Sequence, residues 1–372
     1  MSRSKSGAGV GFPGRLFKPT GPITSWHIAA TYIGTVVGAG FASGQEILQF
    51  FAAFGGWGLL GIVVASLGLA LLGAFILYLG QRLQTRSHHP IFMHTCGPVL
   101  GRFIDALVTL FLFGAMVVML AGVGAIFREH LGLPAAWGVA GTMVLALLTV
   151  LYGLSGVMAA NTVIIPVMVI LILGISTYSL NHHGLIIADL AFTAPGLAAA
   201  PHWLLAALLY ISYNLILSVP VLAPMGKAAP NPGVLVKGAL VGGLVLGLLS
   251  MMLTLVQMAH FPKIAHYQVP MLYVVRPYSE ALRISFALVL WAEIFTTLIA
   301  DLYGFATRLS QCRGWSYRWT AAGSLLTAAS FSGIGFSTLV GTLYPLLGYA
   351  GLIFLLGLLV RLGKLMLGKK FY

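Results

Sequence analysis

Charged side chains are scarce in this sequence, since Asp, Glu, Lys and Arg together make up only 7% of its 372 residues. Hydrophobic residues account for 59%, and the mean hydropathy is +0.99. So little polar surface excludes a water-soluble globule of this size and indicates that lipid is the solvent. We therefore expect an integral membrane protein whose first partner is the lipid bilayer.

Cysteine is almost absent, with Cys96 and Cys312 as the only two. The charge distribution discussed below places both on the cytoplasmic side, where thiols stay reduced, so no disulfide is expected. His88, His89 and His94 precede Cys96, but their spacing matches no standard zinc pattern. We expect a solvated interfacial loop there, without a bound metal or other cofactor.

Long apolar runs fill almost the whole chain. Each is about 20 residues long, the length that a helix needs to cross a hydrocarbon core of about 30 Å. They lack the alternation of polar and apolar positions that marks a barrel strand, so the predicted fold class is all-α. About ten transmembrane helices are expected near 23–54, 58–80, 101–127, 135–153, 159–180, 202–226, 234–258, 282–305, 317–337 and 339–361.

The ten spans divide into two groups of five, and an odd number of spans per group makes the two repeats inverted. The halves share no clear sequence identity, so the repeat is inferred from hydropathy and from interruptions in the first and sixth spans. The expected organisation is a flexible cytoplasmic segment at 1–22, repeat one at 23–181, an outer loop at 182–201, repeat two at 202–362 and a cytoplasmic tail at 363–372.

Basic residues outnumber acidic ones by 20 to 7. If the N-terminus is inside, most Lys and Arg residues fall on inner segments, as the positive-inside rule requires. This predicts a multi-pass protein of the bacterial inner membrane with both termini in the cytoplasm. Anionic lipid headgroups suffice to explain the net charge of +13, so no nucleic-acid partner is expected.

The first span carries a cluster of glycines between Gly34 and Gly44. Glycine costs about 1 kcal/mol relative to Ala in a helix interior, so this segment should unwind into two half-helices. Unwound backbone is tolerated inside a bilayer only where protein or a cavity satisfies its polar groups, which indicates a binding cavity. A half-helix starting near Ala42 and Ser43 would direct its positive end at an anion, and carbonyls near Gly38 would face a cation.

Close helix packing is the alternative role for Gly34, Gly38 and Gly40, because small residues let membrane helices approach each other. The polar residues Ser43 and Glu46 favour a site instead. The substrate, a small molecule, is expected to contact residues in the first and sixth spans, namely Gly38, Gly40, Ala42, Ser43, Glu46, Ser212, Asn214 and Ser218.

Pro220 lies inside the sixth span, where it removes a helical hydrogen bond and frees the carbonyl near Ile216. A proline kink without a function is common in membrane helices. The sixth span is, however, the counterpart of the first if the repeats are inverted, and paired interruptions are typical of a transporter site. We therefore expect helices 1 and 6 both to be broken.

The sequence has only seven acidic residues, and Glu46, Glu293 and Asp301 lie inside predicted spans. A charged Asp at a membrane-helix centre costs about 2.5–3.5 kcal/mol, so such residues usually serve a function. Glu293, Thr297 and Asp301 follow i, i+4, i+8 spacing and form one polar stripe. Their oxygens suit sodium or a proton. A purely structural alternative is a neutral Glu293 with Thr296 bonded to its own helix.

The stretch from Gly34 to Glu46, followed by Ile47 and the pair Phe50-Phe51, resembles the signature of the YkvI-like family of bacterial membrane proteins. The resemblance extends over nearly the whole chain.

More distantly, Gly38-Ala39-Gly40 and Thr296-Thr297 resemble the broken-helix glycines and hydroxyl pair of the neurotransmitter:sodium symporters. These belong to the amino acid–polyamine–organocation superfamily, so the resemblance implies a leucine-transporter-type fold. It also implies sodium ligands at Thr296, Thr297 and backbone oxygens near Val37 and Gly40. The substrate contacts that it implies are Ala42, Ser43, Ser212 and Asn214. Phe41 stands where the symporters carry an asparagine, and Glu46 has no clear counterpart there, which leaves substrate and coupling ion open.

Ion coupling is accordingly expected from residues of the first and eighth spans, namely Val37, Gly40, Glu293, Thr296, Thr297 and Asp301. The function predicted is a secondary active transporter for an amino acid or related amine, coupled to sodium or protons by alternating access. The alternative is a nutrient-sensing receptor subunit on the same scaffold. An enzyme is not expected, because the chain has no nucleophile elbow or phosphate loop. The outer loop from His260 to Glu280 either closes over the cavity or is an ordinary interfacial loop.

Overall fold

The chain is helical throughout the part that the structure describes. This computed structural model describes residues 22–129, 132–184, 190–191, 193–267, 269–275, 277, 279–333 and 336–367, and these residues contain no strand. The all-α class is therefore confirmed. Nearly all of the predicted segment 1–22, part of the loop 182–201 and half of the tail 363–372 lie outside the described residues.

Most of the helices are joined by short connections, and the longest connection is residues 184–202. In chain order they are α1 (Ser25–Val36), α2 (Ala39–Ala42), α3 (Gln45–Phe50), α4 (Gly56–Arg82), α5 (His89–Cys96), α6 (Pro98–Glu129), α7 (Ala135–Leu151), α8 (Leu154–His183), α9 (Trp203–Ala228), α10 (Pro232–Ala259), α11 (Pro270–Val275), α12 (Glu280–Arg313), α13 (Tyr317–Phe331) and α14 (Phe336–Met366). Single 3₁₀ turns lie at Ala52–Phe54, Pro195–Leu197 and Lys263–His266.

Seven helices in the described part are long and apolar enough to cross a membrane: α4, α6, α8, α9, α10, α12 and the segment Leu347–Met366 of α14. Helix α7 is apolar but shorter, and α13 has 15 residues. Large apolar side chains such as Val163 and Ile170 are exposed on the outside, as helices surrounded by lipid require. The chain is an integral membrane protein, and the total of ten spans stays a prediction.

Polar residues before several helices explain where these begin. Thr24 and His27 form a reciprocal cap on the first turn of α1, and the Asn231 side chain accepts from the Val234 backbone N–H at 3.0 Å at the start of α10. Such caps satisfy N–H groups that have no partner within the helix. Pro232 occupies the first turn of α10, where its missing N–H has no cost.

The predicted interruption of the first span is confirmed. Helix α1 ends at Val36, Val37 is extended, and α3 begins at Gln45 after the four-residue turn α2. Gly44 has a φ of 80°, in the left-handed region that glycine adopts without strain. The second half-helix starts two or three residues later than expected.

The predicted break in the sixth span is wrong, because α9 is a continuous helix that contains both Pro220 and Pro224. A proline removes a single backbone hydrogen bond, and the surrounding turns of α9 stay wound because the helix is almost entirely buried. The Pro220 ring packs against Gly304 of α12, where a Cβ would lie 2.6 Å from the Pro220 Cβ. Pro220 thus lies at a close contact between α9 and α12.

The long helices pack as two groups. In one, α4 packs extensively against α9 and α10, and α1 packs against α10 and α9; in the other, α12 contacts α6, α8 and α13. The broken first span lies between the groups, because α1 and α2 also pack against α12. The candidate site is at this junction.

A substitution at Gly226 tests the close backbone contact between α4 and α9. A Cβ on Gly226 of α9 would meet the backbone carbonyl of Leu77 in α4. We expect Gly226→Ala to lower the free energy of unfolding by about 1–3 kcal/mol, because backbone cannot move aside as a flexible side chain does. Thermal unfolding of the detergent-solubilised protein measures this.

Gly174→Ala in α8 is the matched control, since no atom lies within 4 Å of its added Cβ. It should leave stability unchanged or raise it by up to about 1 kcal/mol through helix propensity. Equal effects of the two substitutions would show that the α4–α9 contact is not close-packed.

Candidate functional site

The first span and α12 meet at a direct hydrogen bond. The Thr297 hydroxyl donates to the Val37 carbonyl at 2.9 Å, although 260 residues separate them in sequence. Gly38 allows the approach, because a Cβ there would already lie 3.2 Å from the Thr297 Oγ1. The carbonyl that the helix break frees is thus satisfied by a side chain of α12.

A second hydroxyl lies beside this junction. Thr296 is fully buried and donates to the Glu293 carbonyl at 3.0 Å, which is the bond to its own helix that the structural alternative foresaw. Each hydroxyl spends its one proton on a carbonyl and keeps lone pairs free. Thr296 and Thr297 are neighbours on α12, and their hydroxyls and the carbonyls of Val37 and Glu293 are oxygen ligands of the kind that a hard cation such as sodium prefers.

Gly40 and Gly34 make contacts of two other kinds. The Gly40 carbonyl accepts from the Ser43 hydroxyl at 3.0 Å, within the connection between α2 and α3. Gly34 lies in the intact part of α1 against Asn161 of α8, so at this position the glycine serves close helix packing.

Three membrane acids are buried without a basic partner. Glu46, Glu293 and Asp301 are 4%, 0% and 4% exposed, and no Lys or Arg is among the buried residues of the described chain. Both Glu293 carboxylate oxygens and the Asp301 Oδ2 lack a hydrogen-bond partner. Glu46 and Glu293 lie within electrostatic range of each other, although they are on different spans. Two carboxyl groups thus face one region of low dielectric.

The hydroxyls expected to contact substrate are already bonded within the protein. Ser43 donates to the Gly40 carbonyl and accepts from the Gln45 N–H at 3.3 Å. Ser212 donates to the Gly348 carbonyl of α14 at 2.7 Å, so it joins two helices away from the first span.

Ser218 and Asn214 link α9 to itself and to the first span. Ser218 donates to the Asn214 carbonyl at 2.7 Å and accepts from Thr35 of α1 at 3.4 Å. The Asn214 amide donates to the Tyr210 carbonyl at 3.0 Å. These side-chain hydrogen bonds add to the backbone hydrogen bonds of α9 on the N-terminal side of Pro220.

Aromatic rings surround the second half-helix, and we call Phe50, Phe51, Tyr210 and Tyr213 the aromatic wall. The Phe50 ring centroid is 5.7 Å from that of Tyr210 and 5.5 Å from that of Tyr213, and Phe51 is 4.8 Å from Tyr210. All four are nearly or fully buried. Glu46 lies one helical turn before Phe50 and within electrostatic range of Tyr210, so the wall adjoins the acids.

The loop between α10 and α12 covers the break from one side. The Met271 N–H of α11 donates to the Ser43 carbonyl at 3.1 Å, and the Gln257 Nε2 of α10 donates to the Gly44 carbonyl at 2.7 Å. A Cβ on Gly44 would lie 2.9 Å from the Met271 side chain. This loop therefore lies over the break as the lid alternative predicted.

A cavity of about 420 Å³ opens at the opposite end of the bundle. Its walls come from the C-terminal ends of α7 and α9, the start of α8 and the last turns of α12, and include Tyr152, Ser155, Lys227, Tyr303 and Thr307. Tyr303 follows Thr297 by less than two helical turns, so the cavity extends toward the junction. The cavity and the α11 loop thus lie at opposite ends of the bundle.

Sequence relatives share almost the full length of the chain. The Bacillus subtilis (strain 168) protein described as uncharacterized membrane protein YkvI is 32% identical over 342 residues, covering 90% of this chain and 95% of the relative. The chain belongs to the YkvI family of membrane proteins. A second relative from the same strain, uncharacterized protein YyaD, is 30% identical over 332 residues, covering 88% of this chain and 94% of that protein. No protein-family model matches the chain.

Solved transporters share the fold of this YkvI-family chain. A Na⁺-coupled sialic acid symporter matches with a TM-score of 0.67 at 12% identity, covering 93% of this chain and 81% of that one. The nucleobase-cation-symport-1 family transporter Mhp1 gives 0.63 at 14% identity, with 90% and 78% covered. MhsT in complex with L-phenylalanine gives 0.62 at 15% identity, with 88% and 87% covered. These likenesses show the leucine-transporter-type fold that the resemblance implied.

Sequence reasoning missed an ion-pair cluster near the cavity end of the helix bundle. Arg308 of α12 donates through its Nε to both Asp105 carboxylate oxygens of α6 at 3.0 Å, and its Nη2 contacts the same carboxylate. His89 lies 3.1 Å from Asp105, and His88 lies 3.3 Å from it. The four residues come from three segments that are far apart in sequence, so their spacing along the chain does not predict the cluster.

The prediction that His88 lies in a solvated loop is wrong, because this side chain is fully buried. Burial lowers the pKa of His88 below its ordinary value, against the raising effect of the Asp105 carboxylate. The ring is therefore neutral at pH 7, and Arg308 supplies the positive charge that balances Asp105. Unlike the three acids near the junction, Asp105 has a permanent counter-charge.

Removing either member of this pair should destabilise the protein strongly. Asp105→Ala and Arg308→Ala should each lower the free energy of unfolding by about 3–5 kcal/mol, because each leaves a poorly solvated charge behind. The double variant should cost less than the sum of both. Thermal or denaturant unfolding in detergent measures the three values.

The exposed pair Glu280–Arg283, separated by 3.3 Å, is the control. Its alanine variants should each change stability by less than about 1 kcal/mol. Additive effects of the two buried substitutions would contradict a direct pairing of Asp105 with Arg308.

Proposed function

We propose that the chain is a secondary active transporter for a small organic solute, an amino acid or a related amine, that works by alternating access. The observation that carries the proposal is the Thr297–Val37 hydrogen bond, which joins the broken first span to the polar stripe of α12. Broken helices at such a junction are where transporters of this type bind substrate and ions. The shared fold of solved transporters supports the same function.

The coupling ion is proposed to be sodium or a proton. Thr296, Thr297 and the two carbonyls beside them would hold sodium, whose positive charge offsets the nearby carboxylates. Glu46, Glu293 and Asp301 are the groups that would carry protons, because they are buried acids without a basic partner. Both forms of coupling use the same junction, so an ion at this place is bound to the two groups of helices at once.

Alternating access assigns a role to each end of the bundle. Release of the Met271–Ser43 and Gln257–Gly44 bonds would open the α11 side, and contraction of the cavity near Tyr303 would close the other. We propose that the cavity faces the cytoplasm, that both termini are cytoplasmic and that the protein resides in the inner membrane. The basic residues on that side support this orientation.

Uptake into proteoliposomes tests the function. The purified chain is reconstituted, and a panel of radiolabelled amino acids and amines is offered with an inward sodium gradient, an inward proton gradient or neither. Concentrative uptake driven by one gradient supports the carrier. Binding without concentrative uptake of any compound would overturn it and favour a sensor on the same scaffold.

Thr297→Ala should remove the sodium response if sodium is the coupling ion. Loss of one oxygen ligand is expected to raise the sodium concentration for half-maximal uptake by roughly tenfold or more. The measurement is initial uptake rate against sodium concentration.

Thr327→Ala provides the control, because Thr327 also donates to its own helix, at 2.8 Å to Gly323, but is exposed on α13. It should leave the sodium response unchanged. A proton-driven uptake that Thr297→Ala does not alter would assign coupling to the acids instead.

A further inference from the structure

The charges around the junction constrain the substrate. Among the buried acids of the described chain, only Asp105 has an Arg partner, and no buried Lys or Arg is available to Glu46 or Glu293. A buried carboxylate without a partner is costly unless it is neutral or meets a cation. Glu293 is fully buried, and neither of its oxygens has a hydrogen-bond partner. A positive charge bound beside Glu293 would therefore stabilise its carboxylate.

An anionic group on the substrate would meet a negative charge that is already in place. Helix α3 carries Glu46 in its first turn, where the positive end of a helix would otherwise attract an anion. The Ser43 hydroxyl beside it is used within the α2–α3 connection. A substrate carboxylate would thus face Glu46 rather than free donors, which disfavours a substrate that carries a carboxylate.

The aromatic wall supplies the second half of a cation site. Tyr210 and Tyr213 have ring centroids 5.5 Å apart at nearly right angles, and Phe50 contacts both. Faces of such rings attract an organic cation, more strongly when water is excluded. Phe50 follows Glu46 by one turn on α3, so the wall begins one helical turn from this carboxylate.

We propose that the transported solute is an organic cation with a primary ammonium or guanidinium group and no required carboxylate. Glu46 and Glu293 provide its counter-charges, and Phe50, Tyr210 and Tyr213 contact its apolar part. This inference rests on the proposed transport function and names the substrate class of that same site. Two carboxylates would also accept a solute with two positive charges.

Matched pairs of an amino acid and its decarboxylated amine test the inference. The pairs are leucine and isopentylamine, phenylalanine and phenethylamine, and arginine and agmatine, each titrated against the purified full chain with thermal stabilisation as the readout. In at least one pair, the amine should stabilise at a concentration at least roughly tenfold lower than the amino acid, a difference of about 1.4 kcal/mol in binding.

Two isosteric variants identify the counter-charges. Glu46→Gln and Glu293→Gln should each weaken amine binding by at least roughly tenfold, since each keeps the shape of the side chain and removes its charge. Glu280→Gln is the control, because Glu280 is exposed at the start of α12 and should leave binding unchanged. Unliganded melting temperatures show whether the variants are folded.

Each outcome decides the inference. Tighter binding of the amino acids, binding of neither member of any pair, or amine binding that both folded Gln variants retain would overturn it. Retained amine binding would mean that the two carboxylates serve protons alone. Uptake in proteoliposomes distinguishes a failure of this inference from a failure of the proposed function. Uptake of amino acids but not of amines would support the transporter and contradict the organic-cation substrate. Amine binding without any uptake would support the organic-cation site and contradict the transporter.

Discussion

A helix that unwinds inside hydrocarbon must have its freed backbone groups bonded by the protein, and the rest of this structure depends on how the first span meets that constraint. The Val37 carbonyl accepts from Thr297, the Ser43 carbonyl from the Met271 N–H and the Gly44 carbonyl from Gln257. The three partners belong to α12, α11 and α10. The break is therefore the place where both helix groups and the covering loop are held together.

The same three bonds explain why this place suits a moving protein. Two of them come from α10 and α11, which cover the break, and one comes from α12 in the other helix group. Opening the covered side would release the first two and leave the Thr297 junction in place. Under the proposed function, an ion or solute at the junction would bias this equilibrium only through a difference in affinity between the two states. The carboxylates of Glu46 and Glu293 would provide such a difference if their distance from the ligand changes.

Local sequence chemistry predicted part of this arrangement. A run of glycines weakens successive helical turns, so the first break could be foreseen, whereas a single proline removes one bond, and Pro166 and Pro220 both lie in continuous helices. Helical spacing predicted that Thr297 lies on the polar stripe of α12. The resemblance to the neurotransmitter:sodium symporters predicted that it lies near the first span. The Ser212 bond to α14 and the Asp105–Arg308 pair join distant segments, and no periodic pattern encodes such tertiary contacts.

The alternating exposure of the two ends is tested most directly by paired cysteine labelling. Cys96 and Cys312 are replaced by serine, and Ser155→Cys in the cavity and the buried Met271→Cys in the covering loop are introduced separately. A membrane-impermeant maleimide is applied to vesicles of each orientation, with and without the coupling ion and a transported solute. We predict that each cysteine reacts from one side only, on opposite sides, and that ligands change the two reactivities in opposite directions. Reactivities that rise and fall together, or that no ligand changes, would contradict alternating access around the first-span break.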